Sequence, residues 1–138
     1  MILVDSNVLL DVFTRTPNWW EWSLRQLDEA ARRGSLLIND VIYAETSVRF
    51  RGADEFDAAL ARAGVTIAPI PRRALFLAGK AFTQYRNSGG VRSGVLPDFF
   101  IGAHAEVEHL PLLTRDVRRY RNYFPTVVLI TPEGGSDT

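Results

Sequence analysis

Four carboxylates occupy positions where solubility does not require one. Asp5 ends the apolar run Met1-Ile2-Leu3-Val4, and Asp116 comes just after Pro111-Leu112-Leu113-Thr114. Short continuous apolar runs read as strands buried on both faces of a parallel sheet. Open α/β sheets bind ligands just beyond the carboxyl ends of such strands. Glu45 shares a helical face with Val41, Ile42 and Val48, and Asp98 shares one with Ile101, Gly102 and Ala105. Each acid alone has a simpler role. Asp5 or Ser6 can cap a helix, Arg49 is available to Glu45 one turn on, and Asp98 in a first turn favours the helix dipole. Four inward or strand-exit acids together, without a lysine in their motifs, would repel one another in a shared crevice. Hard divalent ions such as Mg²⁺ or Mn²⁺ relieve that repulsion, because they prefer oxygen ligands and retain water. A metal held so lowers the pKa of its water and stabilises charge on a phosphorane, a route to phosphodiester hydrolysis. Ser6, Asn7 and Thr114 supply neutral groups to orient the acids or hold the scissile phosphate. Arg115, Arg118, Arg119 and Arg121, clustered around Asp116, are suited to flanking phosphates.

The elements that position these residues alternate. Strands are expected at the N-terminal run, Leu36-Leu37-Ile38, Val65 to Ala68, Pro111 to Thr114 and Val127 to Ile130, with helices between them. That order implies one mainly parallel sheet with helices on both faces, in the α/β class. If the sheet reverses direction between its first and fourth strands, Asp5 and Asp116 flank the switch-point crevice. After a short first helix, Thr16-Pro17 predicts a helix start, Gly34 its end, and Trp20, Leu24, Leu27 and Ala31 its inner stripe. Trp19 and Trp22 fall off that stripe and suggest a partner surface. Asp40 is the expected N-cap of a helix reaching Phe50, and another spans Ala53 to Ala63, closed by Gly64. A longer helix from Pro71 presents Leu75, Ala78, Phe82 and Tyr85 inward. The glycine-containing stretch Asn87 to Gly94 carries Arg92 and is a candidate flap over a substrate. Pro97 opens the next helix. His104 and His109 have no ligand-spaced companion and receive no role. Residues 1–131 form one domain, followed by a polar tail at 132–138.

Composition narrows the class. The chain has 138 residues, sixteen basic and sixteen acidic, with Lys80 its one lysine. Zero formal net charge gives no general attraction to nucleic acid or membrane. With no cysteine there are no disulfides and no thiolate metal sites, which suits a cytoplasmic protein. No apolar stretch reaches membrane-spanning length, and Asp5 interrupts any signal-peptide core.

Four segments carry a family resemblance. They are Ile2 to Asp11, Ile38 to Glu45, Leu96 to Ala105 and Leu112 to Tyr120. In this order and spacing the chain resembles a PIN domain, and closely the toxin nuclease of bacterial VapBC toxin–antitoxin systems. The resemblance runs from the first strand to Phe124-Pro125. It implies a three-layer α/β/α sandwich with strand order 3-2-1-4-5, and a Mg²⁺-dependent endoribonuclease acting on RNA. It also implies a small antitoxin partner, with a homodimer expected. The family's metal acids fall on Asp5, Glu45, Asp98 and Asp116, supported by Asn7 and Thr114. Ser6 departs from the threonine more usual there but keeps the hydroxyl. The runner-up is a PIN ribonuclease of RNA processing without an antitoxin. An aspartyl-phosphate phosphatase would need a second acid two residues after Asp5, where this chain has Asn7.

Overall fold

The computed structural model describes residues 1–90 and 96–132. Its elements run β1 (Ile2–Val4), α1 (Ser6–Thr14), α2 (Trp20–Arg33), β2 (Leu36–Ile38), α3 (Asp40–Ser47) and α4 (Ala53–Arg62). They continue with β3 (Val65–Ile67), α5 (Arg72–Asn87), α6 (Leu96–Val107), β4 (Leu112–Leu113), α7 (Arg118–Tyr123) and β5 (Leu129–Ile130). The five strands form one sheet in the order β3-β2-β1-β4-β5, and every pairing is parallel. Leu3 stands beside Leu37 on one side and Leu112 on the other. The order reverses at β1, so the crevice between β1 and β4 is the topological switch point. The helices after β1 and β2 pack on one another through α1 against α2 and α3, and those after β3 and β4 through α6 against α5 and α7, as right-handed crossovers to opposite faces require.

Every side chain of β1, β2 and β4 is buried, which is why these strands read as unbroken apolar runs rather than alternating ones. Fully buried residues from the helices, among them Val8, Leu9, Ile42, Phe99 and Ile101, complete the core around them.

Several helix boundaries and phases differ from the sequence expectation. Residues 17–19 form a turn and α2 begins only at Trp20, because Asn18 has a left-handed φ of 72° that no helix accepts. The Thr16 carbonyl instead accepts from both the Trp19 and Trp20 amides. Gly34 does end α2, but in extended conformation. A Cβ there would stand 3.2 Å from the Met1 nitrogen, so it is close approach that favours glycine. The inner face of α2 is Ser23, Leu27 and Ala30, while Leu24 and Ala31 turn outward and Trp22 packs against the core. The N-cap of α3 is Asn39, whose Oδ1 accepts from the Ile42 amide, and Asp40 is exposed. On α5 the buried residues are Ala74, Ala78 and Ala81; Leu75 is exposed, and Phe82 and Tyr85 are half-buried.

Candidate active site

β1 delivers Asp5 to the switch point, where its side chain is 3% exposed. Its Oδ1 caps α1 by accepting from the Ser6 amide at 2.8 Å. Its Oδ2 accepts from the Thr114 hydroxyl at 2.8 Å and the Tyr120 hydroxyl at 3.0 Å. Thr114 is fully buried just beyond β4, and its oxygen also accepts from Asn7 Nδ2 and the Asp116 amide. Asn7 Oδ1 in turn accepts from the Arg115 amide at 3.2 Å. Neutral groups from α1, the β4 exit and α7 thus fix one acid and lock the turn that carries Asp116.

The other acids approach from the helices. Glu45, half-buried on α3, accepts from the Ser6 hydroxyl at 2.9 Å. Its expected apolar face is only partly kept: Ile42 is buried, but α3 ends at Ser47 and Val48 is exposed. No ion pair joins it to Arg49 among the described residues. Asp98, in the first turn of α6, pairs with the Arg119 guanidinium from α7. Asp116 is exposed at the crevice mouth.

Electrostatics tie Asp5, Glu45 and Asp98 together. Burial pushes the Asp5 carboxyl from 3.8 up to about 6, against the pull of its hydroxyl and amide donors, and the Glu45 charge pushes the same way. Burial likewise raises Asp98 to about 6, followed by the Asp5 charge; Arg119 opposes the rise and Asp116 adds to it. Glu45 is raised by burial and by the Asp98 charge. Burial also drives the Tyr120 phenol well above its ordinary value, so it donates to Asp5 as a neutral hydroxyl. Among the described residues no three acidic or imidazole side chains converge, as placed, tightly enough to hold one ion. Their oxygens face Thr114, Tyr120, Ser6 and Arg119 instead. An all-oxygen set in which Asp5, Glu45 and Asp98 are each raised by a neighbouring carboxylate nonetheless matches the donor chemistry of a hard divalent cation.

Other residues take places that the sequence did not disclose. Asp11 on α1 is 1% exposed and accepts from Arg115 Nε at 2.7 Å, Arg115 Nη2 at 2.8 Å and the Ser23 hydroxyl at 2.6 Å. The Arg115 guanidinium lies 4.6 Å from the Trp19 ring, which meets Trp22 edge-to-face. Arg115 therefore ties the β4 exit to α1 and α2, where the sequence assigned it to phosphate. Asp11 follows Val8 by three residues on the buried side of α1, and this spacing was its one sequence signal. Tyr120 follows Val117 by three in the same way. Arg118 and Arg121 are exposed on α7. Of the flap expected over Asn87 to Gly94, Asn87 closes α5 and Ser88 caps it, while Arg92 and the rest from 91 lie outside the described residues, as does the tail from 133. His104 is buried and pairs with Asn39 Nδ2 through its Nδ1 at 3.0 Å, on the residue that caps α3.

Comparison with known proteins places this geometry in a family. The PIN domain family matches residues 2–125. No protein of curated function matches at comparable significance. Among solved structures, the chain is similar to VapBC2 from Rickettsia felis bound to a promoter DNA fragment, with a TM-score of 0.72 and 18% identity. That match covers 96% of this chain and 100% of the other. VapBC-1 from nontypeable Haemophilus influenzae is similar with a TM-score of 0.69 and 16% identity, over 95% and 98% of the two chains. FitAcB from Neisseria gonorrhoeae is similar with a TM-score of 0.62 and 18% identity, over 94% and 96%. The switch-point acids, the strand order and a family match spanning nearly the whole chain agree: this protein belongs to the PIN domain family.

Proposed function

We propose that the chain is an endoribonuclease dependent on Mg²⁺, with Mn²⁺ as a substitute, acting as the toxin of a type II toxin–antitoxin pair. The observation that carries this reading is the buried Asp5 carboxylate at the β1/β4 switch point, joined through Ser6 to Glu45 and through Thr114 to the turn that bears Asp116, with Asp98 close enough for its charge to raise Glu45. These acids would hold the metal, which when bound activates water and stabilises the charge developing on phosphorus. Thr114, Tyr120 and the Ser6 amide hold the Asp5 carboxylate in one orientation. Ser6 does the same for Glu45, and Asn7 with Thr114 fixes the turn before Asp116. Arg118 and Arg121, exposed on α7, bind phosphates on either side of the cleaved bond.

The toxin role is supported by the solved chains named above, which come from VapBC and FitAcB assemblies. On this reading the partner is a small antitoxin protein, the chain forms a homodimer, and the setting is the cytoplasm. No helix among the described residues is long and apolar enough to cross a membrane.

The test is cleavage of a structured RNA by purified protein across a Mg²⁺ and Mn²⁺ titration. Activity should require the metal, vanish with EDTA, and vanish in Asp5→Asn and Asp98→Asn, with both variants still melting cooperatively. Cleavage that persists in excess EDTA refutes the metal-dependent reading. Co-expression with the product of a short neighbouring reading frame should suppress the activity if the toxin role holds.

A further inference from the structure

The site contains two buried or half-buried arginine–aspartate pairs of different construction. Arg115 grips Asp11 with two nitrogens, and that carboxylate is sealed from solvent. Arg119 reaches Asp98 through Nη1 alone, and the two side chains are 15% and 24% exposed. The Arg119 guanidinium also lies 5.8 Å from the Tyr85 ring, a contact that depends on the face of the ring and not on Asp98. Among the described residues, Arg119 is the cation ion-paired to any of the four switch-point acids. Its neighbour Tyr120 donates to Asp5, so α7 sets a cation and a hydroxyl against two of those acids.

A planar guanidinium with unused donors is as well matched to a phosphate as to a carboxylate. A divalent ion that takes Asp98 must compete with Arg119, and a phosphate that takes Arg119 leaves Asp98 to the ion. We infer that Arg119 is an exchangeable cation, held by Asp98 until a divalent ion claims that carboxylate and then passed to a phosphate of the bound nucleic acid. Metal and nucleic acid therefore promote each other's binding through this one side chain, and the coupling is reciprocal. The inference rests on the metal-binding reading of the four acids proposed above.

The experiment is calorimetric titration of Mn²⁺ into the full chain, alone and with a 2′-O-methyl oligonucleotide that resists cleavage. Parent, Arg119→Gln and Arg62→Gln are compared, the last removing the same charge from an exposed position at the end of α4. Without oligonucleotide, Arg119→Gln should bind Mn²⁺ about three- to fivefold more tightly than the parent, the effect of losing one partly exposed ion pair. Arg62→Gln should change little. The oligonucleotide should tighten Mn²⁺ binding in the parent and do so less in Arg119→Gln. If Arg119→Gln melts below the assay temperature, Arg119→Lys, which keeps the charge and loses the fork, replaces it and should shift affinity the same way by less. Equal tightening in the two glutamine variants, or none in Arg119→Gln, overturns the inference while leaving the metal site intact. A parent that binds no Mn²⁺ overturns the metal reading itself, and the inference with it.

Discussion

Removing Arg115 tests whether the Asp11 carboxylate is a structural keystone. Asp11 is 1% exposed, and in Arg115→Ala it would keep only the Ser23 hydroxyl at 2.6 Å. Breaking a buried ion pair from one side costs about 3–5 kcal/mol, because a charge is left without a partner. The Arg115 side chain is 24% exposed, so water reaches the vacated side and moderates the loss. Stacking on Trp19 at 4.6 Å is lost as well, worth about 0.5–1 kcal/mol. The expected destabilisation is about 3 kcal/mol, read as a fall in the urea midpoint with the m-value unchanged. A second substitution sharpens the test. Asp11→Asn in the Arg115→Ala background removes the stranded charge while keeping the shape, so the double variant should be more stable than Arg115→Ala alone. A loss under about 1 kcal/mol for Arg115→Ala, or a double variant that merely adds the two single losses, refutes the argument.

The remaining expectations concern the acids and the packing around them. The folded Asp5 carboxyl is raised from 3.8 to about 6, so its stabilising contribution is complete below 3.8 and is lost as pH rises through about 6. Metal-free Asp5→Asn should therefore gain on the parent between about pH 4 and about pH 7.5 in urea melts; a gap independent of pH contradicts the buried charge. Tyr120→Phe removes a donor from that carboxylate and should cost about 1.5 kcal/mol at neutral pH. The loss should shrink at about pH 4, where Asp5 is protonated; an equal loss at both pH values would mark Tyr120 as a packing residue only. Gly102→Ala would set a Cβ 2.3 Å from the Phe124 ring and should cost about 1–2 kcal/mol of overpacking after the helical gain from alanine. Gly79→Ala on α5 meets nothing within 4 Å and should stabilise by about 0.5–1 kcal/mol; thermal melts of the two would read opposite signs.

The strands and their order were legible because each buried strand is a short apolar run ended by polar residues, as in Ile2-Leu3-Val4-Asp5. The acids were legible for the same reason, since Asp5 and Asp116 mark strand exits and Asp98 opens a helix. The phase of α2 was not. Apolar periodicity put Leu24 and Ala31 inside, whereas the interior holds Ser23, because the Asp11 carboxylate takes its hydroxyl. A polar group recruited by another buried polar group leaves no trace in a pattern of hydrophobicity. Nor do the partners of Arg115 and Arg119 appear in the sequence. Asp11 lies 104 residues from Arg115 and Asp98 lies 21 from Arg119, and only the completed sheet and the docking of α7 bring them together.

The placement of β1 between β2 and β4 also sets an order of assembly in time. Its pairing with β2 joins Leu3 to Leu37, whereas its pairing with β4 joins the same Leu3 to Leu112. Closing the second contact carries a larger loop entropy and requires most of the chain to have been synthesised. The β3-β2-β1 ladder can form while the other edge of β1 is still unpaired. Until β4 and α7 dock, Asp5 lacks Thr114 and Tyr120, and Asp116 has no fixed position relative to it. A nascent or truncated chain therefore carries its first acid from the start yet cannot build the centre. The open flank of β1 is the edge on which a stalled chain would aggregate.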